Sequence, residues 1–521
     1  MTLAMTTSSQ LAGNSSAAAP INADGLFSLM PLLIVSALVV LQLLQISFRR
    51  DADLSYRLCL GGLVVAFGSL FMISASLPQH VTPLLLLDHY ALLFMGLILA
   101  CAILLLPLCH DYWRRHRLLL DEFYLLFTLS TLGALVLVCS QHFASLVLGL
   151  ELMSLSLVAM IGYPFTARYD YPLEAAIKYL LLSGVASATL LFGIALIYAD
   201  LGSLAFISLG QALHHTLIDT LQLQKPLLLT GIMLALAGIG FKLSLVPFHL
   251  WTPDVYQGGP TPVTALLATV SKAAVTALLL RWYLVSNGYA VPQLVWTLTL
   301  IAVASMLVGN LLALLQQDIK RLMAYSSIAH FGYLLVALLA LTQSANPALA
   351  IEAVSYYLVA YLVSTLAVFA VVMQLSAERE ASECSDLDYY RGLFWRRPLL
   401  ALTLTLALLS LAGIPLTVGF IGKFYIFSTA VAQELWMLLL TVVIASAIGL
   451  FYYLRLVLMM TFSDSNEAAN VDASSIDTNT SLRWRSGSTL TLISLALLTL
   501  LLGTLPAPLI ELVRSLTTTI S

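Results

Sequence analysis

Charge is what this chain lacks. Of its 521 residues only 9% are Asp, Glu, Lys or Arg, against about 25% in an average soluble domain. That is too little to solvate a surface in water, and no nucleic-acid partner is expected. Cysteine is sparse and unpatterned. Cys59, Cys101, Cys109, Cys139 and Cys384 form no CxxC and share no ligand spacing with histidine, which argues against an iron–sulfur cluster, a zinc site or a disulfide framework. Neither a Walker A loop nor a GxGxxG turn is present, so nucleotide binding is not expected. The stretch 1–26 has no basic region ahead of its first apolar run and reads as a polar tail rather than a cleaved signal peptide.

Apolar length is abundant instead. The chain is 60% hydrophobic, with repeated runs of about 18 or more residues, each sufficient for a hydrocarbon core of about 30 Å. A membrane β-barrel alternates in segments of roughly ten residues, a pattern that does not occur here. The expected fold is therefore an all-α polytopic membrane protein of about 14 transmembrane helices, near 27–47, 56–77, 87–108, 120–140, 143–163, 173–198, 226–250, 261–284, 292–315, 321–342, 350–375, 398–432, 435–458 and 487–508. The twelfth is too long for one straight crossing and contains "LAGIPLTVGFIGKF", predicting a break at Gly413 and Pro415. The seventh carries Pro247 and is expected to break too.

Basic residues set the orientation. Sixteen of them, from Arg49 to Arg485, fall in alternate connections, and only Lys225, Arg281 and Arg514 fall on the opposite side. With an even number of spans this positive-inside bias puts both termini outside. The remaining four basic residues, Lys178, Lys242, Lys272 and Lys423, lie within spans, as does Glu151; Glu352 lies near a span end.

A lysine or aspartate at mid-bilayer costs about 2.5–3.5 kcal/mol on insertion scales, so five such groups represent roughly 10 kcal/mol of unfavourable placement unless they pair or meet water. A series of buried ionisable groups, each setting its neighbour's proton affinity, suits a proton path. Structural readings stand beside this one. Lys178 is close enough to its span end to snorkel, and deep ion pairs sometimes serve assembly alone. His249 and His330 fit equally as satisfied interior polar groups. Asp88 and His89 read as interfacial, and the charged stretch around residues 377–397 as a solvated inner loop.

Lys242 and Lys423 both accompany broken helices, five spans apart and so crossing in opposite directions. Paired broken helices point to an inverted repeat with the transport site between its halves. The division this predicts is a tail at 1–26, spans one to three at 27–119, a first five-helix repeat at 120–284, its inverted counterpart at 285–458, a polar inner loop at 459–486, and the last span with the C-terminus at 487–521.

Four segments carry a family resemblance: "FKLSLVPFHLWTPDVYQG" at 241–258, "LEAAIKYLLLS" at 173–183, "QQDIKRLMAYSSIAHFGYLL" at 316–335 and "SLAGIPLTVGFIGKFY" at 410–425. From about residue 27 onward the chain resembles the antiporter-like, proton-translocating subunits of respiratory complex I and the related Mrp-type cation/proton antiporters. "GLELMSL" and "YRGLFWRRP" tilt it towards the complex I branch. The resemblance implies that Glu151 pairs with Lys178, that Lys242 is the central lysine, that Lys272 with His249 connects it onward, and that Lys423 serves the exit. His330 and Glu352 are accessory candidates, and Pro247, Gly413 and Pro415 are the helix breaks. It also implies that this chain binds no cofactor, with NADH, flavin, iron–sulfur clusters and quinone in partner subunits. The expected partners are other membrane subunits, further antiporter-like ones among them, and lipids. A cation/proton antiporter subunit and a non-pumping structural subunit remain the alternatives.

Overall fold

The computed structural model describes residues 23–74, 77–116, 121–163, 171–218, 226–341, 347–377, 383–462 and 487–517. Most of the expected tail, the 463–486 part of the inner loop, and Arg117, Arg168, Lys225, Arg379, Arg483 and Arg485 lie outside them. Among the described residues, 13 helices are long and apolar enough to cross a membrane. The twelfth expected span is two shorter apolar helices, Pro398–Ala412 and Val418–Ala432. The count of fourteen crossings is therefore reached with the predicted break in the twelfth.

Start and stop signals explain the boundaries. Asp51 caps span two by accepting from the Leu54 amide, and Asp318 caps span ten by accepting from the Lys320 and Arg321 amides. Proline occupies the first turn of several spans, where its missing N–H costs nothing. Two amphipathic helices, Phe206–Ile218 and Ala507–Thr517, were not expected as separate elements. A two-stranded hairpin pairs Gln79–His80 with Leu86–Leu87 just before span three.

The spans do not share the interior equally. Span eight, Thr261–Val285, is buried along its whole hydrophobic window and span ten, Ile319–Leu339, nearly so. Spans one, two and thirteen show apolar side chains such as Val40, Val65 and Phe451 on their outer faces, as lipid contact requires. The enclosed spans eight and ten carry Lys272 and His330.

The seventh span is Pro226–Leu243, an irregular stretch, then Trp251–Gly258. Both breaks contain a non-glycine residue in the left-handed region, Ser244 at φ 62 and Leu416 at φ 73, a conformation costing roughly 1–2 kcal/mol for an L-residue. In the twelfth span the turn is made by Gly413 at φ 85. Further along the same break, at Gly419, a Cβ would lie 1.8 Å from the Ser410 carbonyl oxygen, and the Gly419 amide donates to Ser410 Oγ at 3.0 Å. Only glycine fits there. Gly419→Ala is expected to destabilise the chain by at least about 1–3 kcal/mol, the usual range for overpacking, seen as a lower melting temperature of the detergent-solubilised protein; an unchanged melting temperature would show that the break is slack.

Candidate functional site

Breaking a helix frees carbonyls and amides that must find new partners in a medium without water. In span seven, Trp251 Nε1 donates to the Phe241 carbonyl at 3.0 Å, and Ser305 Oγ accepts from the Val246 amide at 3.0 Å. The last carbonyl of the first half, on Leu243, faces the Lys272 ammonium at 3.5 Å. In span twelve the corresponding carbonyl, on Ala412, accepts from Lys423 Nζ at 2.8 Å. Both ammonium groups therefore sit at the C-terminal, partially negative end of a half-helix. The lysine comes from the following span in the first case and from the second half of the same span in the other.

Lys242 occupies the last turn before its break. Its Nζ donates to Ser183 Oγ at 2.6 Å and to Ser154 Oγ. Ser154 lies one turn beyond Glu151 on span five, and Ser183 one turn before Ser187 on span six. Ser187 in turn donates to the Glu151 carboxylate at 2.5 Å. Spans five and six thus present two adjacent rungs, one holding Glu151 and the other the Lys242 ammonium. Tyr179 stacks its ring 5.5 Å from Nζ.

Lys272 comes directly after a single wide turn, the π-helical stretch Leu267–Ser271. Such a turn adds a residue to the helix and rotates every side chain beyond it. Lys272 Nζ donates to Ser327 Oγ at 2.5 Å, and Ser327 also receives the Tyr361 hydroxyl at 2.9 Å. One turn beyond Ser327 on span ten is His330. Its Nδ1 is 2.6 Å from the Tyr357 hydroxyl and its Nε2 3.1 Å from the Tyr453 hydroxyl, which also meets Ser326. The His330 ring lies edge-on to Tyr333, whose face is 5.4 Å from Lys423 Nζ. Lys242, Lys272 and Lys423 are 4%, 0% and 6% exposed. The result is a buried file of ammonium, hydroxyl and imidazole groups from Glu151 to Lys423.

One expected pairing differs. Lys178 does not pair with Glu151. It binds Asp254 at 3.1 Å and Glu174 at 2.7 Å, and Asp254 also takes Arg321 at 2.9 Å. The physical reason is distance along the helix: Ser187, which holds Glu151, is nine residues from Lys178, about 13 Å of rise. His249, expected near the link between Lys242 and Lys272, lies in the break of span seven, while His330 stands on span ten one turn from Ser327. The His249 Nδ1 is buried without a hydrogen-bond partner, as are Ser244 Oγ, Thr252 Oγ1 and Tyr256 OH along the same stretch. Atoms of this kind are natural sites for ordered water. Glu352 lies off the file, bound by Arg514.

Two residues placed at interfaces are instead buried ion-pair members. Asp88 and Arg281 form a fork at 2.7 and 3.1 Å, with Tyr90 stacked on the guanidinium. Lys320, expected as an inner-loop charge, is buried in the first turn of span ten and paired with Glu383. It also donates to the Gly259 carbonyl at 2.7 Å, while Glu383 accepts from the Thr261 amide at 2.9 Å and the Tyr112 hydroxyl at 2.7 Å. That pair clamps the turn between the second half of span seven and span eight. Asp254 lies within the 241–258 motif, and its role could have been found by asking what balances Lys178.

A helical bundle of fourteen crossings, two of them broken around buried lysines, is an antiporter-like membrane protein. Residues 140–449 match the family described as NADH:quinone oxidoreductase/Mrp antiporter, TM, and the chain belongs to that family. It is 48% identical over 489 residues to the NADH-quinone oxidoreductase subunit N of Methylococcus capsulatus, covering 94% of each chain. It is also similar to a chain of respiratory complex I from Thermus thermophilus, with 33% identity, a TM-score of 0.74, and 92% and 99% of the two chains covered. A chain of the Mrp complex from Dietzia sp. shares the fold at 18% identity and a TM-score of 0.78, with 95% and 99% covered.

The Lys178 geometry predicts double-mutant cycles, read by thermal denaturation, of about 0.2–1 kcal/mol between Lys178 and Asp254, and near zero between Lys178 and Glu151. The reverse ranking would restore the expected pair. The inner clamp carries a pH signature. Burial alone raises the Glu383 carboxyl, but the charge and hydrogen bond of Lys320, with Tyr112 and the Thr261 amide, outweigh it and hold it below the usual range. A depressed folded value contributes stability present above the unfolded carboxylate value, about 4.3, and lost as pH falls through the folded one. Glu383→Gln is expected to lower stability at neutral pH by about 3–5 kcal/mol, the cost of stranding a buried partner, and to flatten the acid limb of the melting curve; a variant with an unaltered acid limb would show that the clamp is open to water.

Proposed function

We propose that this chain is a proton-translocating membrane subunit of NADH:quinone oxidoreductase, moving protons from cytoplasm to periplasm as quinone is reduced elsewhere in the complex. The observation that carries this reading is the file itself. Glu151 is held by Ser187, Lys242 by Ser154 and Ser183, Lys272 by Ser327, His330 by Tyr357 and Tyr453, and Lys423 by the Ala412 carbonyl, each within reach of the next group along the axis. Lysine, histidine and hydroxyl groups both give and take protons. NADH, flavin, iron–sulfur clusters and quinone belong to partner subunits, and the membrane partners are further subunits of the same complex.

In this reading spans four to eight and nine to thirteen are inverted repeats, and both termini lie on the periplasmic side. A proton enters from the inner side along Tyr256, Thr252 and His249, charges the Lys242–Lys272 pair across the first break, crosses the His330–tyrosine cage and reaches Lys423. Each transfer changes the charge beside the next site, which is how the sites are coupled. The Lys178–Asp254–Arg321 cluster at the inner side sets the field in which Lys242 holds its proton. Coupling to quinone chemistry then amounts to a shift in that cluster's pairing, biasing two states of the file.

Lys242→Ala, measured in inverted membrane vesicles, is expected to leave an assembled complex with sharply lower proton pumping and lower coupled electron transfer. Normal pumping by an assembled Lys242→Ala complex would make the lysine structural and defeat the reading. Impaired assembly with unaltered pumping per complex would favour a subunit whose charges serve assembly alone.

A further inference from the structure

Glu352 is a buried carboxylate that the file does not use. It lies in the second turn of span eleven, Pro347–Ala377, and is 4% exposed. Both oxygens are taken by one guanidinium: Arg514 Nε donates to Oε1 at 2.8 Å and Nη2 to Oε2 at 3.2 Å. The two partners are unequally placed. Arg514 belongs to the amphipathic C-terminal helix Ala507–Thr517, and its side chain is 62% exposed. A forked pair with one member buried and the other facing solvent can open by rotation of the solvent-facing arginine alone.

The C-terminal helix packs on spans eleven and three and shares one apolar cluster with the Lys423 helix. Leu509 and Ile510 pack with Tyr356 and Ala360 of span eleven and with Val418, Ile421 and Tyr425 of span twelve, in an apolar cluster separate from the main core. The Tyr356 hydroxyl donates to the Leu502 carbonyl at 2.6 Å, fixing the end of span fourteen to the same place. Val418, Ile421 and Tyr425 flank Lys423 on its own helix, and Tyr357, five residues from Glu352, is the hydroxyl held by His330. The groups around the pair are Glu511 on the C-terminal helix, Tyr425 on the Lys423 helix and Tyr356 on span eleven. Span three, which also packs against the C-terminal helix, begins at His89, after Asp88, which is committed to Arg281.

We propose that Glu352 is the last carboxylate a proton meets on its way from Lys423 to the outer side, and that Arg514 is its latch. This rests on the proton-path reading above. With Arg514 turned out to solvent, the carboxylate takes the proton that the Lys423 ammonium gives up, leaving a neutral amine and a neutral carboxyl. Return of the guanidinium to the two carboxylate oxygens displaces the proton outward and restores the pair. The amphipathic C-terminal helix is therefore an ion-pair-held cover over the outer end of the file. It is the counterpart of the Lys178–Asp254 pair at the inner end, where the charged residue also comes from the span preceding the broken helix.

Four variants of the whole complex in membrane vesicles test this, each checked for assembly on native gels: Glu352→Gln, Arg514→Gln, Arg514→Lys and the charge swap E352R/R514E. Glu352→Gln is expected to assemble with a severalfold loss of pumping. Arg514→Gln is expected to assemble with a severalfold loss of pumping. Arg514→Lys, which keeps the cation, should bring pumping most of the way back. The swap keeps an ion pair but removes the carboxylate from span eleven, so it should assemble without pumping. Wild-type pumping by Glu352→Gln, by Arg514→Gln or by the swap overturns the proposal, as does an Arg514→Lys variant that assembles but pumps no better than Arg514→Gln. Lys423→Ala in parallel separates the two levels: if it pumps normally the proton path itself fails, whereas a silent Lys423→Ala beside a normal Glu352→Gln removes the latch alone.

Discussion

A helix interrupted inside a membrane leaves carbonyls with no amide to bond, and here lysines take them. The Leu243 and Ala412 carbonyls, each ending a half-helix, face the ammonium groups of Lys272 and Lys423. The arrangement satisfies two needs together. The carbonyl gains a donor in a medium without water, and the buried cation gains the negative end of a helix dipole. Left-handed Ser244 and Leu416, the glycine at 413 and the close approach at Gly419 all serve to present those carbonyls. The strain is local, and the surrounding spans hold it in place.

That constraint shapes the rest of the interior. Buried ammonium groups need further partners, and the chain supplies hydroxyls rather than carboxylates: Ser154 and Ser183 for Lys242, Ser327 for Lys272. A carboxylate at such a distance would hold the charge fixed, whereas a serine both accepts and donates and leaves the proton mobile. The carboxylates sit elsewhere. Glu151 stands one rung from Lys242, Asp254 binds Lys178 and Arg321, and Glu383 binds Lys320. Ion pairs thus occupy the ends and turns of the bundle, and the hydroxyl-bound lysines its centre. Spans eight and ten, which lipid does not touch, carry Lys272 and His330.

The spans and both breaks were legible in the sequence, because apolar length and proline report directly on membrane crossing and on helix interruption. The four intramembrane lysines stood out for the same reason: hydrophobic surroundings make a charge conspicuous. Partner identity was not legible. Choosing Asp254 over Glu151 for Lys178 depends on how spans five, six and seven are rotated against one another, which apolar length does not report. The amphipathic helices Phe206–Ile218 and Ala507–Thr517 were hidden because a narrow apolar stripe does not form a continuous run. The Asp88–Arg281 and Lys320–Glu383 pairs were hidden because charges at span ends are ordinarily solvated.

A lysine that merely caps a carbonyl and a lysine that also releases its proton are separated by one substitution. Arginine keeps the charge and the donors but does not deprotonate in proteins. The measurement is proton pumping by an assembled complex carrying Lys272→Arg, with electron transfer recorded in the same vesicles. A mobile proton on Lys272 predicts an assembled complex in which pumping and coupled electron transfer both collapse. Pumping at the wild-type rate would contradict it, and would leave the lysines as fasteners for broken helices.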